Sequence, residues 1–232
     1  MSKIFNILSD FVNLFYPDIC LACGDKLLKN ESVICTKCIY NLPKTNFHLE
    51  KINPVSQLFW GRVNIENATS YYFYHKGSKF QKLIHRLKYS GNKEVGFELG
   101  KHFGSVLITS ELYKNIDAII PVPLHPKREK KRGYNQSYWI ALGINEIFKV
   151  EIDTKTLYRS IATETQTKKS RFERWENVDS IFKTRDNTTL KNKHVLLVDD
   201  VLTTGATLEA CANSILETEN AKVSIATLAV AR

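Results

Sequence analysis

One stretch constrains the fold of this chain more than any other: residues 194–208, with the sequence HVLLVDDVLTTGATL. Its apolar run over 195–198 predicts a short strand buried on both faces, as in a parallel sheet. Asp199 and Asp200 follow where that strand is expected to end, and a small-residue turn around Gly205 leads into a helical pattern. This order of strand, acidic pair, turn and helix predicts an α/β fold with a ligand site at the strand end.

The turn after the acidic pair has the residue types that hold a phosphate. Gly205 lets the backbone approach an anion closely, and the N–H groups that begin the next helix favour negative charge. Thr203, Thr204 and Thr207 add hydroxyl donors around Ala206. Carboxylates repel phosphate, so we expect the acidic pair to face sugar hydroxyls or a shared Mg²⁺. The segment therefore predicts a ribose 5-phosphate site, with an ordinary threonine-capped strand–turn–helix as the alternative.

Composition limits the remaining classes of protein. At 232 residues, 43% of them hydrophobic, the chain allows one large domain, or one domain and a small module. The net charge of +9 favours polyanionic ligands such as diphosphates, nucleotides or nucleic acid, without choosing among them. No segment approaches the roughly twenty apolar residues of a transmembrane helix, and the N-terminal segment is not typical of a signal peptide. We therefore expect a protein that does not span a membrane.

Four of the five cysteines form two C-x-x-C pairs near the N-terminus. Two intervening residues let both thiolates of a pair reach one ion from a tight turn, and the spacing between the pairs allows a hairpin. A closed, structural Zn²⁺ site is therefore expected, with a redox dithiol or an iron–sulfur site as the alternatives. Such thiols favour a reducing, cytoplasmic compartment, and the metal is expected to supply the segment's folding energy. The candidate zinc ligands are Cys20, Cys23, Cys35 and Cys38.

The rest of the chain alternates between helical and strand patterns. Helical spacing over 4–15 predicts an amphipathic helix docked on the main domain, with a partner or membrane-surface helix as the alternative. The proline-containing stretch 41–61 predicts an irregular boundary between an N-terminal helix and zinc module (1–45) and a larger domain (60–232). Aromatic residues 71–74 are expected on a sheet face, with base stacking as the alternative. In chain order, the pattern predicts a strand over 63–74, helices after Ser78 and over 93–107, a strand over 116–122, helices over 137–148 and 208–217, and a strand over 222–231.

Two basic stretches complete the set of candidate ligand-binding segments. The first, over 124–136, is expected as a loop beyond a strand's carboxyl end, where the crevice of an α/β sheet opens; a solvated face is the alternative. The second lies within 157–178 and is typical of a mobile loop or a surface helix; as a loop it could close over a diphosphate. The candidate pyrophosphate or nucleic-acid ligands are Lys127, Arg128, Lys131, Arg132, Asn135 and Lys168.

Three of these segments resemble the successive signatures of the ComF family: PVPLHPKREKKRGYNQS, TQTKKSRFERWENV and VLLVDDVLTTGAT. The last is also similar to the PRPP-binding motif of type I phosphoribosyltransferases, and the cysteine pairs are similar to the family's zinc-binding N-terminal module. The resemblance extends over nearly the whole chain, from residue 10 to 231. It implies an α/β, type I phosphoribosyltransferase-like fold: a central, mainly parallel sheet with flanking helices, and a small N-terminal zinc-ribbon-like module.

The resemblance also implies roles for individual residues. Asp199 and Asp200 match the ribose-binding acidic pair, and residues 203–207 match the 5-phosphate loop. Residues 127–135 fall where related transferases hold pyrophosphate, and residues 166–177 fall on their flexible catalytic loop. Tyr134 replaces a common phenylalanine, which changes little. The catalytic candidates are Asp199, Asp200, Arg171 and Arg174.

Members of that family are linked to natural competence, where incoming single-stranded DNA is handled at the cytoplasmic side of the membrane. The expected partners are therefore PRPP or another ribose 5-phosphate ligand with Mg²⁺, single-stranded DNA, and a competence helicase. The alternative is an active phosphoribosyltransferase of nucleotide metabolism or salvage, which displaces pyrophosphate from PRPP. Its acceptor is not encoded in any recognisable motif. Glutamine-dependent activity is not expected, because residue 2 is serine and the chain has no room for a glutaminase domain.

Overall fold

The computed structural model describes residues 17–160, 181–185 and 188–231. The predicted helix over 4–15 lies outside these ranges, as does the second basic stretch over 166–178. Within them, no helix combines the length and apolar character needed to cross a membrane. The helices are α1 (Thr36–Asn41), α2 (Pro54–Gln57), α3 (Lys79–Tyr89), α4 (Glu94–Leu107), α5 (Pro126–Arg132), α6 (Gln136–Phe148) and α7 (Ala206–Leu216). The strands are β1 (Asn67–Tyr74), β2 (Ala118–Pro121), β3 (Glu151–Ile152), β4 (Leu157–Arg159), β5 (Phe182–Thr184), β6 (His194–Leu202) and β7 (Lys222–Ala231).

Five of the described strands form a parallel sheet in the order β1–β7–β6–β2–β3. This confirms the predicted α/β architecture with a central parallel sheet. Strand β6 is central, with Val195 opposite Val223 of β7 and Ala118 of β2. The chain leaves β2 towards β3 but leaves β6 towards β7, so the two connections diverge between these neighbouring strands. A ligand crevice in such a sheet opens at this divergence, beyond the carboxyl ends of the strands.

Strand β6 is buried on both faces, as its apolar run predicts. Val195 and Leu197 belong to an apolar cluster with residues of α7, while Leu196 and Val198 belong to a second cluster with residues of α3, α4 and α6. All four side chains are 0% exposed. Burial of each stabilises the fold by about 1.5–3 kcal/mol, so this strand anchors the site that follows it.

Helices α4 and α6 approach each other so closely that glycines line the contact. A Cβ atom on Gly100 would lie 2.3 Å from the carbonyl oxygen of Ile140, and one on Gly143 would lie 2.0 Å from that of Phe97. Backbone therefore packs directly on backbone at this crossing. The contact fixes the position of α6, whose first turn reaches the acidic pair.

The predicted end of the central strand was wrong by four residues. Strand β6 continues through the acidic pair to Leu202, because β7 runs alongside it and places Val230 opposite Leu202. Strand β2, in contrast, ends at Pro121, opposite Val198. Residues 199–202 are therefore paired with β7, while the side towards β2 is open at the crevice.

The basic stretch over 124–136, predicted as a loop, contains helix α5. Pro126 occupies the first helical turn, and the Nδ1 atom of His125 accepts a hydrogen bond from the N–H of Lys127 at 3.2 Å. The helix ends at Gly133, whose positive φ of 81° lets its N–H donate to the carbonyl of Glu129. The run of charges gives no apolar periodicity, so the sequence pattern conceals this helix.

The segment between the cysteines and β1 covers the outer edge of the sheet. Lys44 forms an antiparallel bridge with Tyr72, and the N–H of Thr45 donates to the carbonyl of Tyr71 at 3.0 Å. The stretch predicted as irregular also contains α2 and a short 3₁₀ turn over Phe47–Leu49. Tyr71 and Tyr72 are buried, which confirms the predicted sheet-face role and excludes base stacking for these two rings.

Candidate functional site

Three elements converge on the acidic pair at the open edge of β6. The hydroxyl of Ser137, in the first turn of α6, donates to Asp199 Oδ1 at 2.8 Å, and the N–H of Asp200 donates to the same oxygen at 2.9 Å. The Nζ atom of Lys88, at the end of α3, lies 2.9 Å from Asp200 Oδ1. The pair is therefore held in a fixed geometry between a hydroxyl and a cation.

The electrostatics of the pair favour a partner that donates hydrogen bonds or carries positive charge. Burial, followed by repulsion from Asp200, raises the pKa of Asp199 to about 7. Hydrogen bonds from the Asp200 N–H and Ser137, together with the charge of Lys88, lower that pKa but do not outweigh burial. Sugar hydroxyls or a divalent cation would stabilise the ionised form of both carboxylates.

Gly205 gives the turn that follows β6 its left-handed backbone conformation. Gly205 adopts φ 79° and is the N-cap of α7, so the helix begins without a capping side chain at that position. The N–H of Ala206 makes a long contact of 3.5 Å to Thr204 Oγ1. Thr203, Thr204, Ala206 and Thr207 are exposed, so their hydroxyl and N–H groups are accessible to an anion.

Two residues that are far away in the sequence, Arg62 and Phe59, contact this turn and support it. Arg62 donates to the carbonyl of Thr204 at 3.0 Å and forms an ion pair with Glu209 in the first turn of α7. The buried ring of Phe59 lies against Gly205, so that a Cβ atom there would be 3.2 Å from Phe59 Cε1. The backbone of the candidate phosphate turn is thus fixed before any ligand binds.

The structure brings the predicted basic residues of 127–135 beside this crevice. Lys127, Arg128 and Lys131 are exposed on α5, and the guanidinium of Arg132 donates to Gln136 Oε1 at 2.6 Å. Asn135 accepts from the N–H of Ser137, the residue that also binds Asp199. Helix α5 therefore leads directly into the first turn of α6 and the acidic pair.

Three predicted residues, Lys168, Arg171 and Arg174, lie outside the described residues. The strands that flank their segment, β4 and β5, pair with each other and place Arg159 opposite Phe182. Burial, and then the nearby charge of Arg128, lower the pKa of Arg159. Strand β4 therefore lies near helix α5 at Arg159.

The four paired cysteines come together at one point. Their sulfur atoms all lie within 4.8 Å of one another, and Cys23 Sγ and Cys35 Sγ are 3.8 Å apart. A tetrahedral site with Zn–S bonds of about 2.3 Å needs sulfurs about 3.8 Å apart, whereas a disulfide needs about 2 Å. The cluster fits a tetrahedral metal ion, and it could bind zinc.

Local geometry favours the thiolate form at one cysteine of this cluster, Cys20. Burial raises the pKa of Cys20, but backbone N–H groups of Cys35, Cys23 and Ala22 outweigh that effect and lower the pKa to about 7. The first pair lies in a turn closed by the N–H of Gly24, which donates to the carbonyl of Cys20 at 2.8 Å. The second pair begins α1, with Cys35 as its N-cap.

Several residues of the site were not anticipated from the sequence. Lys88, Ser137 and Arg62 contact the acidic pair or the turn, and neither Lys88 nor Arg62 lies in a pattern that marks it. Their partners are 112, 62 and 142 positions away along the chain. A weak signal existed only for Ser137, which directly follows the basic stretch.

Comparison with known proteins identifies the class of the domain that carries this site. Residues 144–232, which include β6, the turn and α7, match the family model described as a phosphoribosyl transferase domain. Among solved structures, the Bacillus subtilis glutamine PRPP amidotransferase is 17% identical at a TM-score of 0.44, covering 62% of this chain and 30% of that one. The adenine phosphoribosyltransferase of Leishmania tarentolae is 14% identical at a TM-score of 0.38, covering 82% and 94%. The match of residues 144–232 to the family model indicates that the chain contains a phosphoribosyltransferase-type domain.

Curated relatives extend over most of the chain. The DNA utilization protein YhgH of Shigella flexneri is 27% identical over 216 residues, which are 89% of this chain and 88% of the relative. Competence protein ComFC of Bacillus subtilis is 29% identical over 211 residues, covering 88% and 81%. Competence protein F of Haemophilus influenzae is 34% identical over 93 residues, covering 40% and 41%. The chain is therefore similar over most of its length to proteins named for competence and DNA utilization, which agrees with the resemblance to the ComF family seen in its sequence.

Proposed function

We propose that this protein handles incoming single-stranded DNA in natural transformation and that its phosphoribosyltransferase-type domain binds PRPP with Mg²⁺. The observation that carries the proposal is the convergence of an acidic pair, a phosphate-type turn and a basic helix on one crevice. The printed names of the relatives, a competence protein and DNA utilization proteins, support the link to DNA.

In this proposal each part of the crevice binds one part of PRPP. Asp199 and Asp200 accept hydrogen bonds from the ribose hydroxyls, and residues 203–207 hold the 5-phosphate. Residues 127–135, together with Lys168, Arg171 and Arg174, face the pyrophosphate group. Bound Mg²⁺ would neutralise part of the diphosphate charge. Lys88 and Ser137 position the two carboxylates.

The PRPP assignment is tested by titration calorimetry with PRPP and Mg²⁺. The double variant Asp199→Asn with Asp200→Asn should lose at least about tenfold in affinity, because two charge-assisted hydrogen-bond acceptors are removed. Asp153→Asn, a buried aspartate in the turn after β3, is the matched control and should bind as the wild type does. Unchanged affinity of the double variant would refute the ribose assignment.

The DNA assignment is tested by single-strand binding at several salt concentrations. Because neutralised phosphates release counterions, the affinity should fall steeply as salt increases. The variant with Lys127, Arg128, Lys130 and Lys131 all changed to glutamine should lose most of the binding. Binding that is insensitive to salt and to these four changes would contradict the proposal.

The second candidate function is phosphoribosyl transfer, in which an acceptor displaces pyrophosphate from C1 of PRPP. The match to a phosphoribosyl transferase domain favours it. The carboxylates would then stabilise positive charge that develops on the ribose, and the basic residues would stabilise the departing diphosphate. Release of pyrophosphate from PRPP by the wild type, but not by the double aspartate variant, would establish turnover.

The zinc and domain assignments belong to the same proposal. We propose that the cysteine cluster holds structural Zn²⁺ within a module over residues 1–45, and that residues 60–232 form the phosphoribosyltransferase-type domain. The reduced thiols fit a cytoplasmic protein. A competence helicase is a candidate partner in that compartment, and co-purification with it would test the association.

A further inference from the structure

A surface beside the acidic pair shares basic residues with the PRPP assignment and adds aromatic rings that this assignment does not use. Two adjoining clefts, of about 700 Å³ and 400 Å³, both border Gly91 and Arg132. They lie between the end of α3, helix α5 and the beginning of α6. Lys88 lines the smaller cleft and also forms the ion pair with Asp200, so this surface begins at the candidate ribose site.

Aromatic rings line these clefts, and cations lie over two of them. Tyr89 is 65% exposed, and the guanidinium of Arg132 lies 5.4 Å from its ring centroid. In the larger cleft, Lys93 Nζ lies 4.5 Å from the ring centroid of Trp139. The ring of Tyr138 meets that of Trp139 edge to face at 6.4 Å. Rings and cations therefore alternate along the surface.

The side chains that line the clefts are mainly positively charged. Their lining residues include five cations and one carboxylate, that of Glu129. A diphosphate needs only the cations, whereas the exposed ring of Tyr89 and the partly exposed rings of Tyr138 and Trp139 add a surface on which planar bases stack. A positively charged groove with aromatic platforms is the usual solution for binding a single strand without sequence preference. A duplex cannot use such platforms, because its bases are already stacked on each other.

We infer that the two clefts form one groove, the α3–α5 groove, that holds a short segment of single-stranded DNA. Bases stack on Tyr89 and on the Tyr138–Trp139 pair, and phosphates face Arg128 and Lys131. The inference rests on the proposed DNA-handling function and specifies where the strand lies. It differs from the purely electrostatic assignment because it requires the bases as well as the backbone.

The decisive experiment measures by fluorescence anisotropy how tightly the protein binds two labelled oligomers. Each has about twenty units, a length that covers one or two typical single-strand sites. One is oligothymidylate, and the other is an abasic oligomer with the same phosphate backbone. Tyr89→Ala should weaken oligothymidylate binding about tenfold, because one stacked base contributes on this order. Its binding to the abasic oligomer should be unchanged, and Tyr89→Phe should bind both oligomers as the wild type does.

Tyr40→Ala is the matched control. Tyr40 is also strongly exposed, at 79%, and also has a cation over its ring, with Lys44 Nζ 6.0 Å from the centroid. It belongs to α1 in the cysteine segment, not to the α3–α5 groove. This variant should bind both oligomers with wild-type affinity.

The backbone contacts are tested by the salt dependence of binding. Arg128→Gln combined with Lys131→Gln should weaken binding of both oligomers. The slope of log affinity against log salt should fall by about 1.4, since each single-strand phosphate contact contributes about 0.7. Lys29→Gln with Lys37→Gln, two exposed lysines of the cysteine segment, should leave the slope unchanged.

The outcomes separate this inference from the proposed function. If the wild type binds oligothymidylate but Tyr89→Ala binds it equally well, the groove assignment is wrong and the DNA-handling function stands. Base stacking in this groove would also be refuted if Tyr89→Ala lost as much affinity for the abasic oligomer as for oligothymidylate. It would equally be refuted if Tyr40→Ala lost as much affinity for oligothymidylate as Tyr89→Ala does. If the wild type binds neither oligomer, the proposed function fails. Equal thermal unfolding midpoints of Tyr89→Ala and Tyr89→Phe would show that the ring, rather than the fold, causes the difference.

Discussion

At the scale of single residues, two aspartates illustrate the difference between a candidate binding residue, the partly exposed Asp199, and a buried structural one, Asp153. Burial and the neighbouring Asp200 raise the pKa of Asp199 to about 7. Burial also raises the pKa of Asp153, but hydrogen bonds from Thr156 and Lys155 outweigh it and lower that pKa. Asp153 therefore stabilises the fold in its ionised form, whereas ionised Asp199 destabilises it.

This contrast predicts opposite effects of two asparagine variants on the free energy of unfolding. The folded state holds a proton on Asp199 that the unfolded chain releases near its ordinary pKa of about 4, so stability falls as pH rises from about 4 to 7. Without Mg²⁺ or PRPP, Asp199→Asn should remove this fall and exceed the wild type in stability at about pH 8. Asp153→Asn should be less stable than the wild type there. Urea unfolding at a series of pH values measures both, and a less stable Asp199→Asn would contradict the pKa argument.

Gly205 gives a second residue-scale prediction. Gly205→Ala should lower the free energy of unfolding by about 1–2 kcal/mol through its left-handed backbone, and further through the close contact with Phe59. Gly77→Ala is the control: Gly77 has a similar φ of 82°, but a Cβ atom there has nothing within 4 Å. Denaturant unfolding should show the larger loss for Gly205→Ala. Equal losses would mean that the ring of Phe59 moves aside freely.

At the scale of elements, the crossing of α4 and α6 decides where the first turn of α6 lies. A methyl group on Gly143 would meet the backbone of Phe97 and Lys101 rather than a side chain that can move. Helix α6 would then be displaced together with Ser137, which binds Asp199. The candidate site therefore depends on a helix contact that does not touch the ligand.

Gly143→Ala should accordingly destabilise the protein by about 3 kcal/mol, at the upper end of overpacking effects. It should also weaken PRPP binding, although no ligand group is altered. Lys101→Ala, an exposed position on α4, serves as the control and should change neither property. Thermal unfolding and calorimetry measure the two effects. A Gly143→Ala protein with the unfolding midpoint of the wild type would refute the backbone contact.

At the scale of the whole molecule, the cysteine cluster is connected to the sheet. Cys20, Cys35 and Cys38 belong to the same apolar cluster as Tyr71 of β1 and residues of α3. Loss of the metal should therefore weaken packing on α3, the helix that carries Lys88. The proposed zinc would in this way support the acidic pair without contacting it.

Metal removal tests this connection. The purified protein should contain about one zinc per chain, and Cys38→Ser should lose the metal and lower the unfolding midpoint by several degrees. Cys211→Ser provides the control, because Cys211 is buried in α7 away from the cluster; its zinc content should be unchanged. Elemental analysis and thermal unfolding give both readouts. A wild-type protein without zinc after growth in zinc-supplemented medium would contradict the metal assignment.

The sequence by itself determined those features that depend on neighbouring residues. The buried run of β6, the glycine turn and the paired cysteines are local patterns, and the final strand, Lys222–Ala231, has the predicted bounds. Helix α5 escaped prediction because its residues are nearly all charged and show no buried face. The spacing of apolar residues along a sequence indicates which face of an element is buried, so an element without a buried face shows no such pattern.

Only the tertiary structure decided which residues surround the acidic pair. Lys88 meets Asp200 across 112 positions of the chain, and Arg62 meets Thr204 across 142. Such contacts follow from the order of the strands in the sheet and from the backbone contact of α4 with α6. No local sequence pattern predicts either of these two features. Local patterns therefore predicted the acidic pair and the turn that follows it, whereas the cations that support them and the aromatic clefts beside them became visible only in the fold.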